Sequence, residues 1–144
     1  YKIEAFLKEK QDWIYTHREK ALAAAEQKAA NRLTEAERKA AVKRAAQMLA
    51  EKTAHFAKEM GVTYGRITIR EQKTRWGSCS SAGNLNYNWK LVLMPGRVMD
   101  YVVIHELAHR KEMNHSARFY AVVAQQMPDY KVWQSWLKEH GREY

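Results

Sequence analysis

The chain has 144 residues and carries 25 Lys and Arg against 16 Asp and Glu, a net charge of +9. That length suits one domain with a single modest core, and 46% hydrophobic residues, with five Trp and eight Tyr, exclude a disordered tail. No run of about 18 uncharged apolar residues is present to span a membrane. A lone cysteine, Cys79, excludes an intrachain disulfide framework and points to a reducing, cytoplasmic setting. No signal-peptide pattern opens the chain, and a start at Tyr1 rather than Met is what a fragment with sequence upstream would show. The charge invites a nucleic-acid or phosphate partner.

Residues 1–60 contain no Gly and no Pro, and are dominated by Ala, Glu, Lys, Arg and Gln, all good helix formers. Ile3, Phe6, Leu7, Trp13 and Ile14 recur with a helical period, which predicts a first helix over about residues 3–30. Thr34 and Glu37 fit a capping box: the Thr hydroxyl takes the third backbone N–H and the Glu reaches back. A second helix is therefore predicted from about Glu35 to Met60, stopped by Gly61. The two could form a hairpin or one bent helix.

The pattern then changes. Val62 to Glu71 reads as a strand with Ile67 and Ile69 on one face and Arg66, Thr68 and Arg70 on the other. Thr74 to Ser80 and Asn84 to Trp89 read as two short strands, with Ser81-Ala82-Gly83 as the turn between them. Leu91 to Met94 forms an apolar stretch before Pro95-Gly96. A helix is predicted from about Arg97 to Met113, with Asn114 able to stop it. Two shorter helices follow, Ser116 to Met127 and Asp129 to His140, the last capped by Asp129 after Pro128. Helices, a small sheet and helices again make an α+β domain: a helical N-terminal segment over residues 1–60 and a core over 61–144, in one compact unit.

The residues that carry chemistry are His105-Glu106-Leu107-Ala108-His109. On a helix, positions i and i+4 share one face about 6 Å apart, so two imidazoles there converge on one metal at bond lengths of about 2.0 to 2.1 Å. Glu106, one position along, projects beside the metal and is placed to take a proton from a metal-activated water, the zinc-hydrolase arrangement. A catalytic zinc takes three protein ligands and leaves one position open. His115, six residues after His109 and just past Asn114, is the favoured third ligand, where the chain can turn back. Glu112 competes, at i+3 from His109. It is also i+7 from His105, about 10.5 Å along a straight helix, which makes one shared metal hard to arrange. The His105, His109, His115 spacing also fits the metzincin pattern, except that Glu112 stands where that pattern has Gly.

Arg75-Trp76-Gly77-Ser78-Cys79-Ser80, Leu85, Asn88-Trp89, Pro95, Asp100-Tyr101-Val102-Val103, the His-Glu-Leu-Ala-His pentad and Asn114-His115-Ser116 resemble the YgjP-like metallopeptidases; Phe119, Pro128 and Tyr130 extend the match. The resemblance runs over about residues 62–140 and is weak over the N-terminal helices. It implies a minimal zincin core, a small twisted sheet packed on the zinc-binding helix, of minigluzincin type and distantly SprT-like. It implies one Zn²⁺ per chain held by His105, His109 and His115, with Glu106 as the catalytic carboxylate. Members usually carry a further β-rich segment before the first helix, and this sequence does not show it. Some of the family is described as a UTP pyrophosphatase.

The leading expectation is thus a zinc metallopeptidase acting on a peptide or protein, in which Glu106 takes the water's proton and passes it to the leaving amine. The alternatives are a nucleoside triphosphate (UTP) pyrophosphatase using the same metal site, and a non-enzymatic nucleic-acid-binding module, possible on charge but not favoured. Arg118, Tyr120, Tyr130 and His140 are oxyanion candidates by chemistry alone. Cys79 reads as a small buried hydrophobe before a metal ligand. Arg66, Arg70, Lys73 and Arg75 read as a solvated sheet face, with a phosphate contact as the alternative. Trp133, Trp136 and Leu137 sit at helical spacing and read as core. His17, His55 and His140 lack partners at metal spacing. Of the net charge, +4 falls in residues 1–60 (13 basic, 9 acidic) and +5 in residues 61–144 (12 basic, 7 acidic), on the segment with the metal motif. That distribution directs the charge toward an anionic substrate.

Overall fold

A computed structural model of the chain describes residues 33–72 and 75–144. The helix predicted over residues 3–30, His17 and Lys73 lie outside the described residues.

Helix α1, Glu35–Met60, begins and ends as its sequence requires. The Glu37 N–H donates to Thr34 Oγ1 at 3.1 Å and the Thr34 N–H donates to Glu37 Oε1 at 2.9 Å, a complete capping box. Gly61 closes the helix in the left-handed region, φ 70°. Ala41, Ala45, Leu49, Thr53 and Ala57 recur at four-residue spacing and are all buried, a narrow stripe of mostly small residues that lets α1 approach the core closely.

Three short strands follow: β1 (Ile67–Arg70), β2 (Gly77–Cys79) and β3 (Leu85–Asn88), in the order β1-β3-β2, with β3 parallel to β1 and antiparallel to β2. The first strand is shorter than its pattern suggests. Before Ile67 the chain is tied to the β2–β3 turn instead, by Gly65 N–H to Gly83 O at 2.8 Å and Arg66 N–H to Asn84 Oδ1 at 2.8 Å. Gly83 has φ 91°, and its N–H donates to Ser80 O at 2.9 Å to close the turn. A 3-10 turn, Trp89–Leu93, leads into helix α2, Gly96–Ala108.

Nearly every residue of α2 from Val98 to Ala108 is buried, because α1, β2 and two C-terminal helices, α3 (Ala117–Gln126) and α4 (Tyr130–His140), all pack on it. Its buried Asp100 is paired with Lys52 Nζ at 2.6 Å. The result is an α+β fold: among the described residues, a small mixed sheet and three helices around one central helix. None of the described helices is long and apolar enough to cross a membrane.

Two boundaries differ from the sequence pattern. Helix α2 stops at Ala108 rather than near Met113: the N–H groups of Arg110 and Lys111 turn to carbonyls three residues back, Leu107 and Ala108, and unwind the helix. The Arg110 side chain pulls the same way, donating to Thr63 O at 2.8 Å and Ser81 O at 3.3 Å. Asp129 stands before α4 without a capping bond. Its carboxylate accepts instead from the Trp133 indole at 3.1 Å and from Arg97 at 3.2 Å, which holds it below the usual carboxylate range.

Candidate metal centre

The unwound end of α2 builds the site. His105 and His109 stand one turn apart with ring centroids 5.3 Å from each other. Beyond Ala108 the chain reverses, and α3 starts behind Ser116, whose hydroxyl accepts from the Phe119 N–H at 3.4 Å. That reversal returns His115 to within 5.1 Å of the His105 ring and 4.8 Å of the His109 ring. Phe119, fully buried, lies against all three imidazoles at 4.5 to 4.9 Å and fixes their spacing from below.

One ring nitrogen from each histidine falls within 4.8 Å of the other two. The Nε2 atoms of His105 and His115 are 3.3 Å apart. Two nitrogens bound at about 2.05 Å to a tetrahedral ion are separated by about 3.3 Å, so this pair has the spacing of ligands. Protonation favours the same use. Burial, reinforced by His109 and His115, pushes His105 down to about 4, and burial lowers His109 too, so both are neutral with lone pairs to give. His109 Nδ1 faces the Glu112 carbonyl at 3.3 Å; a carbonyl only accepts, so Nδ1 carries the proton and Nε2 is left as the donor atom. His105 Nδ1 meets the Tyr101 hydroxyl at 3.4 Å.

Glu106 is 6% exposed and lines a cleft of about 390 Å³ together with the three histidines. Among the described residues its carboxyl has no hydrogen-bond or ion-pair partner. Burial pushes it up to about 8, with the Arg75 charge pulling in the other direction. Gly77 makes the close approach of β2 possible. A Cβ there would sit 3.1 Å from both Glu106 Cγ and Val102 Cγ1.

The other sequence candidates separate. Glu112 contributes its carbonyl to His109, and its carboxylate is not in the histidine group. Cys79 lines the cleft half-buried, its thiol pushed up by burial and by Glu106 and donating to Ser80 O at 3.4 Å. Of the four oxyanion candidates, Tyr120 stacks on His115 with centroids 6.2 Å apart, and Tyr130 is buried behind it at 5.8 Å. Arg118 is exposed on α3, and His140 pairs with Glu143 at 3.2 Å beside Trp136. His55 is exposed and pairs with Glu59. Trp133, Trp136 and Leu137 pack against the core, as their spacing suggests. The described arginines of the basic run, Arg66, Arg70 and Arg75, are all exposed, as a solvated face requires, and Arg75 also lines the cleft. Phe119 entered only through the family resemblance and Arg110 had no signal at all, since their roles depend on where the chain turns after Ala108.

A family model described as YgjP-like, metallopeptidase domain, matches residues 22–140. Among solved structures, the metallopeptidase zymogen of Pyrococcus abyssi abylysin is similar, with a TM-score of 0.58 and 23% identity over 65% of this chain and 96% of that one. The metallopeptidase zymogen of Methanocaldococcus jannaschii jannalysin is similar at a TM-score of 0.55 and 17% identity, over 63% and 94%. At those identities the likeness is one of fold. No curated protein matches the chain.

Proposed function

The chain belongs to the YgjP-like metallopeptidase family, and from that premise we propose that it is a zinc peptidase in which His105, His109 and His115 hold one Zn²⁺ and Glu106 is the general base. The observation that carries the reading is the carboxyl of Glu106, a mostly buried residue in the wall of the cleft, beside three converging imidazoles. A carboxyl so perturbed by burial in a cleft is of the kind that clusters where chemistry uses it. Imidazole donors suit zinc, and three of them leave one position open, as catalytic rather than structural sites do. Bound there, the ion polarises a carbonyl and lowers the pKa of a water.

The remaining work falls to the chain. Glu106 takes a proton on its carboxylate from the attacking water and delivers it to the leaving amine. Its pKa, raised by burial, suits it to hold the proton between those events, and a cation at the imidazoles draws it back toward the ionised form that accepts. Among the described residues strand β2 pairs with β3 alone, and its other edge offers main-chain groups to an extended peptide. A triphosphate needs several cations around it. Among the described residues Arg75 is the one Lys or Arg lining the cleft, which favours a peptide over UTP. The division into a helical segment, residues 1–60, and a zincin-like core, residues 61–144, belongs to the same reading, as does a reducing compartment.

Metal analysis with parallel assays on an unfolded protein and on UTP tests the proposal. One zinc per chain and chelator-sensitive cleavage of the protein are expected. Glu106→Gln should retain the zinc and lose roughly a hundred- to ten-thousandfold in turnover. Zinc-dependent hydrolysis of UTP without peptide cleavage would overturn the peptidase assignment, and full activity in Glu106→Gln would overturn the role of that residue.

A further inference from the structure

Two hollows meet at His105 and Glu106. One, of about 190 Å³, is walled by Trp76, Tyr101, Val102 and Leu137. The other, the cleft of about 390 Å³, carries Arg75, Ser78, Cys79 and Met113 around the histidines. Both are lined by Gly77, His105 and Glu106, so they are two halves of one groove with the reacting groups at the divide.

The halves differ in chemistry. The smaller is apolar and well supported: Val102 is buried in α2, and Trp76 is propped by Gly141, where a Cβ would come within 3.2 Å of the indole. The larger holds a guanidinium on an anchored backbone. Asn88, itself buried, donates from Nδ2 to Arg75 O at 3.3 Å and to Gln72 O at 2.9 Å, and its N–H bonds Trp76 O at 2.9 Å. The Arg75 side chain has no hydrogen-bond or ion-pair partner among the described residues, whereas Arg70 is held by Asn86 and Arg110 by Thr63 and Ser81. A guanidinium fork fixed at its root and exposed at the wall of the cleft is suited to a substrate carboxylate. It also gives the positive charge of residues 61–144 a point of action in the cleft.

We infer that the groove selects peptides carrying a bulky apolar side chain on one side of the scissile bond, seated between Trp76 and Leu137, and an acidic side chain on the other, reaching Arg75. The inference rests on the peptidase reading and names its substrate class.

The test uses the zinc-loaded full chain and peptides, in both orders, that place Phe or Ala on one side of the cut and Asp or Lys on the other. In the better-cleaved order, Phe should exceed Ala by at least about tenfold in kcat/KM, as burial of a large apolar side chain predicts. Asp should exceed Lys by about three- to tenfold, the range of a partly exposed charge-assisted pair. Arg75→Glu should invert the Asp and Lys preference in kcat/KM, whatever change in kcat all peptides share through Glu106; an unchanged Asp to Lys ratio would overturn the binding role. Leu137→Trp should fill the apolar half and erase the Phe preference, and Leu137→Ala should shift it toward larger side chains. Zinc content and thermal unfolding show that these variants are folded, and an unchanged Phe to Ala ratio in both overturns the apolar subsite. Calorimetric titration of Glu106→Gln with the Phe/Asp and Ala/Lys peptides should give the same ranking without turnover. If no peptide is cut, the peptidase reading fails and takes the inference with it; if all are cut alike, the inference alone fails.

Discussion

The three imidazoles come from two unlike regions. His105 rides on α2 and His109 caps its C-terminal end, beside Ile104, Leu107 and Ala108, which are essentially fully buried. His115 comes from the reversal between Ala108 and Ala117, in which Lys111, Met113, Asn114, His115 and Ser116 are exposed and no residue is buried. The helix presents its pair whether or not an ion is bound, because core packing fixes the backbone. The reversal is held by a few hydrogen bonds, such as Ser116 N–H to Asn114 O at 2.8 Å, and by Phe119 at its far end. Segments with few buried contacts open at lower free energy than the core. A bound ion would therefore order the third ligand more than the first two, and that difference can be measured.

The largest effect is expected from the metal itself. Zinc at about a thousandfold above its Kd should stabilise the chain by about 4 kcal/mol, measured by denaturant unfolding with and without chelator. Hydrogen exchange should then locate the change: chelation removes protection from Arg110 to Ser116 and leaves α2 protected. Equal loss in both regions would erase the distinction between them.

On the helix side, Gly77→Ala should destabilise the metal-free chain by about 1–3 kcal/mol, the cost of overpacking, because the new Cβ meets Glu106 Cγ, Val102 Cγ1 and the Asn86 carbonyl at 3.1 to 3.2 Å. A neutral result would mean that β2 can move away from α2, and the helix would lose its claim to rigidity.

The metal-free chain should also show opposed pH effects. Glu106, raised from 4.5 to about 8, keeps its proton in the fold after the unfolded chain has released it, so stability falls as pH rises through that window. His105, lowered from 6.5 to about 4, acts the other way: the unfolded chain takes up a proton first, and stability falls as pH drops below 6.5. His109, also lowered, adds to that side. The two effects oppose each other between 4.5 and 6.5. From 6.5 to 8, Glu106 contributes a negative slope of at most about 1.4 kcal/mol per pH unit. Unfolding of Glu106→Gln should lack that slope; an identical pH profile would show that the carboxyl is not held neutral by burial.

The smallest effect belongs to the reversal. His115→Ala should change metal-free stability by less than about 0.5 kcal/mol, as exposed substitutions do, while lowering zinc affinity more than tenfold by competition titration. A larger loss of metal-free stability would show that the reversal is as well packed as α2.

Local chemistry was legible in the sequence wherever a few neighbouring residues decide it. Thr34, Glu37 and Gly61 set both ends of α1, and the His-Glu-Leu-Ala-His spacing put two imidazoles and a carboxyl together on α2. Alternation correctly turned Ile67 and Ile69 toward the core. What escaped depends on tertiary partners. The early end of α2 follows from where Arg110 finds carbonyls, in segments 47 and 29 residues away. Asp129 has the right residue type for a cap, but Arg97 and Trp133 compete for its carboxylate and win.

Arg110 also bears on how the protein can be engineered. The Ser81–Gly83 turn has the composition of a permissive hairpin tip, the kind of place chosen for an epitope or a reporter insertion. Yet Arg110, the residue after His109, donates to Ser81 O and lies so near Gly83 that a Cβ there would come within 2.8 Å of its guanidinium. An insertion at that tip would be felt one residue from the metal site, so tags are better carried on the solvent face of α1.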